Sequence, residues 1–141
     1  MLQITKIFHF ETAHAIHGYE GPCKNIHGHS YELHVTVSCN DNDTDYIPAP
    51  GFILDFKELK KVVNIAVVEN FDHKLVLSNE FLAKNPDLHK QPNLVVWQME
   101  PTAENLLLYI RKALENKFSH DFTLMALKLY ETKDSYAEWV R

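Results

Sequence analysis

Three stretches of the chain alternate apolar with polar residues, and each predicts a strand. From Leu2 to Phe10, the residues Leu2, Ile4, Phe8 and Phe10 share one parity, interrupted by Lys6. Ser30 to Cys39 sets Leu33, Val35 and Val37 against His34, Thr36 and Ser38, the pattern of a strand with one buried face. Phe122 to Thr132 places Met125, Leu127, Leu129 and Glu131 on one side, and Tyr136 to Arg141 reads as a short fourth strand. Between the second and third strands the period changes from 2 to 3.6. Asp55 is a good N-cap with Glu58 three residues on, and Phe56, Leu59, Val63, Ala66 and Val67 form a helical stripe. Thr102 caps a second helix whose inner face carries Leu106, Leu107, Ile110 and Leu114.

The connections are polar. Thr12 to Lys24, with Gly18 and Gly21-Pro22, reads as loop, and Asn40 to Pro50 as a turn region. Ser78 to Pro101 is a long segment broken by Asn85-Pro86 and Gln91-Pro92, with a short strand at Asn93 to Trp97. A connection of that length is expected to be a functional cover. Two strands, two helices and two strands in order predict an α+β fold: a four-stranded antiparallel sheet with both helices on one face. No repeat, low-complexity tract or linker divides the chain, so residues 1–141 are expected to form a single domain.

Composition narrows the partners. The chain has 141 residues, of which 45% are hydrophobic, enough for one core. Fourteen basic and nineteen acidic residues give a formal charge of -5, which argues against nucleic acid. No apolar run approaches the roughly 20 residues that span a bilayer, and Met1 to Phe10 lacks a leader's basic-then-apolar pattern. A membrane partner is therefore not expected. Two cysteines, Cys23 and Cys39, are too few for a disulfide framework, so a reducing cytoplasm is the default compartment. Of nine histidines, five lie between His9 and His29.

That cluster carries the first candidate chemistry. In Cys23-Lys-Asn-Ile-His27-Gly-His29, an extended backbone puts the two imidazoles on one side. Gly28 between them permits a tight path. His14 offers a third ring, and three protein ligands with a vacant fourth position are the pattern of catalytic zinc. The alternative is a pair of solvated turn residues. Cys23 is a base or nucleophile activated by a nearby cation, a fourth ligand, or an inert thiol. Asp72-His73 is either a carboxylate-oriented imidazole or a polar turn. Glu131, on an apolar parity, either faces solvent at a strand end or is buried and accepts two parallel N–H bonds from a planar ligand.

Taken together, these fragments resemble the 6-pyruvoyl-tetrahydropterin synthase / 6-carboxy-tetrahydropterin synthase family. The matching text is Phe10-Glu-Thr-Ala-His14, Cys23-x-x-x-His27-Gly-His29-Ser-Tyr31, Gly51-Phe-Ile-Leu-Asp55-Phe, Phe71-Asp72-His73-Lys74, Pro101-Thr102-Ala-Glu104-Asn105 and Tyr130-Glu131-Thr132. The resemblance implies the tunnelling fold (T-fold), in which ββααββ units join edge to edge into a barrel, usually a hexamer of two trimers. It implies zinc on His14, His27 and His29. Cys23 would be the general base with His73 and Asp72 as relay partners, and Glu131 would anchor the pterin edge. Thr102 and Glu104 would be further pocket residues, contributed across a subunit interface. Lys24 and Lys74 are candidates for a triphosphate from charge and position alone. The implied substrate is 7,8-dihydroneopterin triphosphate. In the 6-carboxy branch its side chain is cleaved, releasing acetaldehyde and triphosphate, and the product feeds 7-deazapurine (queuosine) synthesis. In the 6-pyruvoyl branch triphosphate is eliminated and the side chain is internally oxidised rather than cleaved. The four-residue step from Cys23 to His27 resembles the 6-carboxy branch. The competing class is a non-catalytic zinc- or pterin-binding protein.

Overall fold

The computed structural model describes residues 2–39 and 45–141. Part of the turn region expected at Asn40 to Pro50 lies outside the described residues. Strand β1 spans Gln3–His14 and β2 His27–Cys39, with a 3-10 turn at Pro22–Lys24 between them. Helix α1 (Phe56–Val63) runs through a π-helical stretch at Asn64–Val68 into the short α2 (Glu69–Phe71). Then follow β3 (Lys74–Ser78), α3 (Asn79–Lys84), a 3-10 turn at Pro86–Lys90, β4 (Leu94–Trp97), α4 (Ala103–Leu114), β5 (Phe122–Thr132) and β6 (Ser135–Val140).

The expected fold is present: β1, β2, β5 and β6 form an antiparallel sheet, and the main helices pack on one face of it. The sheet is larger than expected, six strands in the order β4-β3-β1-β2-β5-β6, and it is mixed. β3 lies parallel to the end of β1, pairing Thr12 to His14 with Lys74 to Val76, and β4 lies parallel to β3. Much of the segment from Ser78 to Pro101 is therefore sheet edge and short helix rather than a loose cover. Leu75, Val76 and Leu77 are all buried, as in a parallel strand covered on both faces, which shows no alternation.

Even-numbered residues of β1 and odd-numbered residues of β2 point to the helices: Phe8, Phe10, Tyr31, Leu33, Val35 and Val37 are in the core. They meet Leu59, Val63, Val67 and Phe71 from the first helical run, and Leu106, Leu107, Ile110 and Leu114 from α4. Both helix starts are capped as expected. Asp55 Oδ1 accepts from Lys57 N at 2.8 Å, and Thr102 Oγ1 accepts from Asn105 N at 3.2 Å. One strand face differs from the simple parity. The β2–β5 register shifts between Thr36 and Val37, so Leu124 rather than Met125 is buried, while Leu127 and Leu129 keep their expected side. Among the described residues no helix is long and apolar enough to cross a membrane.

Candidate metal centre

The core face continues past the helices into a polar end. β1 runs on through Thr12 to His14, where the sequence predicted loop, and β2 begins at His27, before the predicted Ser30. The hairpin register places His14 opposite His27 and Thr12 opposite His29. All three histidines keep the parity of the core residues, so their rings converge at the end of the buried face. Centroids are 4.6 Å apart for His14 and His27, 5.0 Å for His27 and His29, and 5.2 Å for His14 and His29. One nitrogen from each ring lies within 4.8 Å of the others. Gly28 does not make a tight path here. It sits in regular strand, and an added Cβ would meet the Thr12 carbonyl at 3.4 Å, an ordinary contact.

Hydrogen bonding fixes which nitrogens are free. His14 Nδ1 donates to the Pro101 carbonyl at 2.6 Å, and His27 Nδ1 donates to the Asn25 carbonyl at 2.7 Å. A carbonyl only accepts, so each Nδ1 carries the hydrogen and each Nε2 of the neutral ring keeps a lone pair. Those two Nε2 atoms face each other at 3.1 Å. Two lone pairs at that distance repel unless a cation lies between or beside them. His29 Nε2 is buried and, among the described residues, has no hydrogen-bond partner. Burial pushes the His14 imidazole below its ordinary pKa, against the pull of the Pro101 hydrogen bond, and it lowers His29 against the pull of Glu131. Neutral imidazoles with their second nitrogens tied to backbone carbonyls are the form that binds a transition metal. The donor set therefore fits a metal ion, and three nitrogens leave a coordination position open.

A cavity of about 320 Å³ opens beside the trio, lined by His14, Cys23, Thr102, Glu104, Glu131, Tyr19 and Tyr136 among others. Cys23 is half-buried there and is not one of the three ligand atoms that cluster. Its carbonyl accepts from Ile16 N at 2.8 Å, closing the loop that carries it. Glu131 Oε1 lies 3.6 Å from His29 Nε2, and its Oε2 lies 4.0 Å from His14 Nε2 and 3.5 Å from the Tyr31 hydroxyl. Glu131 thus faces the cavity rather than open solvent. Burial, reinforced by Glu131, raises the Tyr31 phenol well above its usual value and keeps it protonated. Thr102 and Glu104 line this cavity from the same chain, where the resemblance placed them across an interface.

The other predicted residues lie elsewhere. Asp72 and His73 do form a pair, with His73 Nδ1 3.1 Å from Asp72 Oδ2, and Asp72 Oδ1 accepts from Glu11 N at 2.9 Å. The Glu11 N–H bond, more than His73, holds the Asp72 carboxyl below its ordinary value. His73 sits at φ 59, a left-handed conformation that histidine tolerates better than bulky residues. His73 lines a second depression, with Glu11, Ser30, Lys74 and Asn93, that also borders His29 but not Cys23. The His73 side chain is 80% exposed. Within one chain, then, the structure does not bring His73, Asp72 or Lys74 to Cys23, and the exposed Lys24 does not line the Cys23 cavity. The sequence reading also missed the Pro101 and Asn25 carbonyls and the ring walls Tyr19 and Tyr136. A backbone carbonyl leaves no residue-type signal. Tyr19 left one in Gly21, where an added Cβ would lie 2.3 Å from the Tyr19 ring.

Comparison with known proteins gives concordant matches. The profile of the family described as 6-pyruvoyl tetrahydropterin synthase matches residues 3–141. The chain is 29% identical over 142 residues to the 6-carboxy-5,6,7,8-tetrahydropterin synthase of Rickettsia typhi, covering 98% of this chain and 99% of the relative. It is also 29% identical over 145 residues to the enzyme of that name from Haemophilus influenzae, covering 99% of each. Its fold superposes on the 6-pyruvoyl tetrahydropterin synthase structure from Caenorhabditis elegans with a TM-score of 0.70 at 20% identity, over 99% of this chain and 95% of that one.

Proposed function

The chain belongs to the 6-pyruvoyl tetrahydropterin synthase family, and on that premise we propose that it is a zinc-dependent 6-carboxy-5,6,7,8-tetrahydropterin synthase. Its substrate is 7,8-dihydroneopterin triphosphate, whose side chain it cleaves to release acetaldehyde and triphosphate in 7-deazapurine synthesis. The observation that carries this reading is the convergence of His14, His27 and His29 beside Cys23 and Glu131 at one cavity. The full-length likeness to relatives named 6-carboxy-5,6,7,8-tetrahydropterin synthase supports the choice of branch.

The roles follow from position. His14, His27 and His29 would hold the zinc through one ring nitrogen each, and the ion would supply a Lewis acid for the side-chain oxygens of the substrate. Cys23, lining the same cavity without joining the ligand cluster, takes the side-chain proton as its thiolate. Glu131 offers two carboxylate oxygens to the paired N–H groups of the aminopyrimidinone edge. Tyr31 donates toward one of those oxygens and helps hold it. Thr102 and Glu104, at the start of α4, complete the polar wall. Asp72 and His73 do not line the Cys23 cavity of their own chain, so as relay partners they act on Cys23 of an adjacent subunit. That arrangement needs the barrel-forming oligomer, a hexamer of two trimers. Lys24 and Lys74 lie outside the Cys23 cavity, so as triphosphate contacts they too act from its rim or from a neighbouring copy. A single catalytic domain over residues 1–141, working in the cytoplasm, completes the proposal.

Mass spectrometry of the products after incubating the zinc-loaded protein with dihydroneopterin triphosphate tests it. Acetaldehyde with a 6-carboxy pterin supports the proposal, and a pyruvoyl product assigns the sister activity. A folded zinc complex that turns over neither this substrate nor close analogues leaves only a binding protein.

A further inference from the structure

The three ligands come from β1 and β2, but the atom that orients His14 comes from a distant stretch, the turn before α4. There the Glu100 carbonyl accepts twice, from Thr102 N at 2.9 Å and from the Asn105 side-chain amide at 2.9 Å. The first bond closes a three-residue turn with Pro101 at its centre. The Pro101 carbonyl is thereby aimed at His14 Nδ1, 2.6 Å away. The same turn presents the Glu100 carboxylate, whose Oε1 accepts from His17 N at 2.6 Å. His17 lies in the loop that Ile16 N and the Cys23 carbonyl close at 2.8 Å. One short turn therefore grips both a candidate ligand and the thiol-bearing loop. Asn105 is the side chain that ties this turn to the first turn of α4. Its amide donates to the Glu100 carbonyl while its backbone N–H donates to the Thr102 cap. Asn105 itself does not line the cavity.

We infer that Asn105 is a positioning residue for the metal centre: by fixing the Glu100–Pro101 turn it holds His14 in the Nδ1–H tautomer that leaves Nε2 free for the metal. The inference rests on the metal site proposed above. The chemistry is that of an outer-shell partner acting one bond further out, and loss of such partners typically weakens metal binding by about 10- to 100-fold.

Asn105→Asp has the same shape but replaces the amide donor with an acceptor that faces the Glu100 carbonyl. Asn105→Ala removes the amide without that repulsion and keeps the helix, so it serves if the aspartate variant does not fold. Asn85→Asp is the control. The Asn85 amide makes an equivalent bond to the Phe81 carbonyl at 2.9 Å, away from the site. Two quantities are read: the zinc dissociation constant by competition with a chromophoric chelator, and the His14 tautomer in the metal-free protein by nitrogen-15 NMR. The expected result is a dissociation constant raised about 10- to 100-fold in the Asn105 variant, together with a detectable Nε2–H population of His14. Neither change occurs in Asn85→Asp. Wild-type zinc affinity with an unchanged tautomer in the Asn105 variants overturns the positioning role. Equal weakening in Asn85→Asp also overturns it, since the effect is then general loss of stability. A wild-type protein that binds no zinc overturns the site itself, a result distinguishable from either.

Discussion

Replacing His29 with leucine should change the sign of its effect on stability according to whether zinc is present. In the metal-free protein His29 Nε2 is buried with no hydrogen-bond partner among the described residues. A buried, unsatisfied polar atom costs about 1–3 kcal/mol, and an apolar replacement of similar size removes that cost. Unfolding entropy near 2.1 cal/mol/K per residue gives about 0.3 kcal/mol/K for a chain of 141 residues. Without metal, His29→Leu should therefore melt about 3–10 °C above the wild type. With free zinc at a thousand times the wild-type dissociation constant, ligand binding stabilises the native protein by about 4.1 kcal/mol, about 14 °C. The variant has lost one of three ligands and gains little of this, so the order of melting temperatures reverses. Differential scanning calorimetry in chelator and then in zinc measures both halves. If the variant melts lower than the wild type in chelator, the imidazole was making a favourable bond. If zinc raises both proteins equally, His29 is not a ligand.

Other consequences are open to measurement. Cys23→Ala should retain one zinc per chain by atomic absorption while product formation is abolished; loss of the metal would make the sulfur a ligand. The metal-free protein should lose stability in acid, because His14 and His29 have lowered folded-state pKa values. Stability is independent of these two rings well above the unfolded value of 6.5 and falls as the unfolded chain takes up protons that the folded protein refuses below it. The slope is at most about 1.4 kcal/mol per pH unit for each ring. Denaturant titrations from pH 8 to pH 5 check this, and a flat or rising stability contradicts it. Asp55→Ala removes the cap on Lys57 N and should cost about 1 kcal/mol, about 3 °C in melting temperature, while Asp55→Asn restores most of the loss.

The parts of the molecule legible in the sequence are those where one local rule acts alone. Asp55 and Thr102 announced both helix starts because a cap is a local device. β5 is legible from Phe122 to Thr132 because Leu127 and Leu129 alternate with polar or half-buried neighbours, although the register shift near Leu124 breaks the parity before them. Strands were cut short where they carry the site. β1 reads as ending at Phe10 because the next core-facing residues, Thr12 and His14, are polar, yet both are buried. β2 loses its first turn of alternation to His27 and His29 for the same reason. The chemistry of the site thus hides the strand that builds it, and the opposition of His14 to His27 is visible only once the hairpin register is known. β3 escaped because a strand buried on both faces has no period to detect. Asp72 and His73 are legible as a pair, but their absence from the Cys23 cavity depends on where the start of β3 meets β1, and no spacing in the sequence encodes that.

X-ray absorption at the zinc edge of the zinc-loaded protein tests the central claim most directly. Three imidazole nitrogens and one light oxygen donor at about 2.0–2.1 Å, with no sulfur shell, are the predicted coordination. A sulfur scatterer at about 2.3 Å would place Cys23 in the coordination sphere and close it. Fewer than three imidazoles would break the trio on which the account stands.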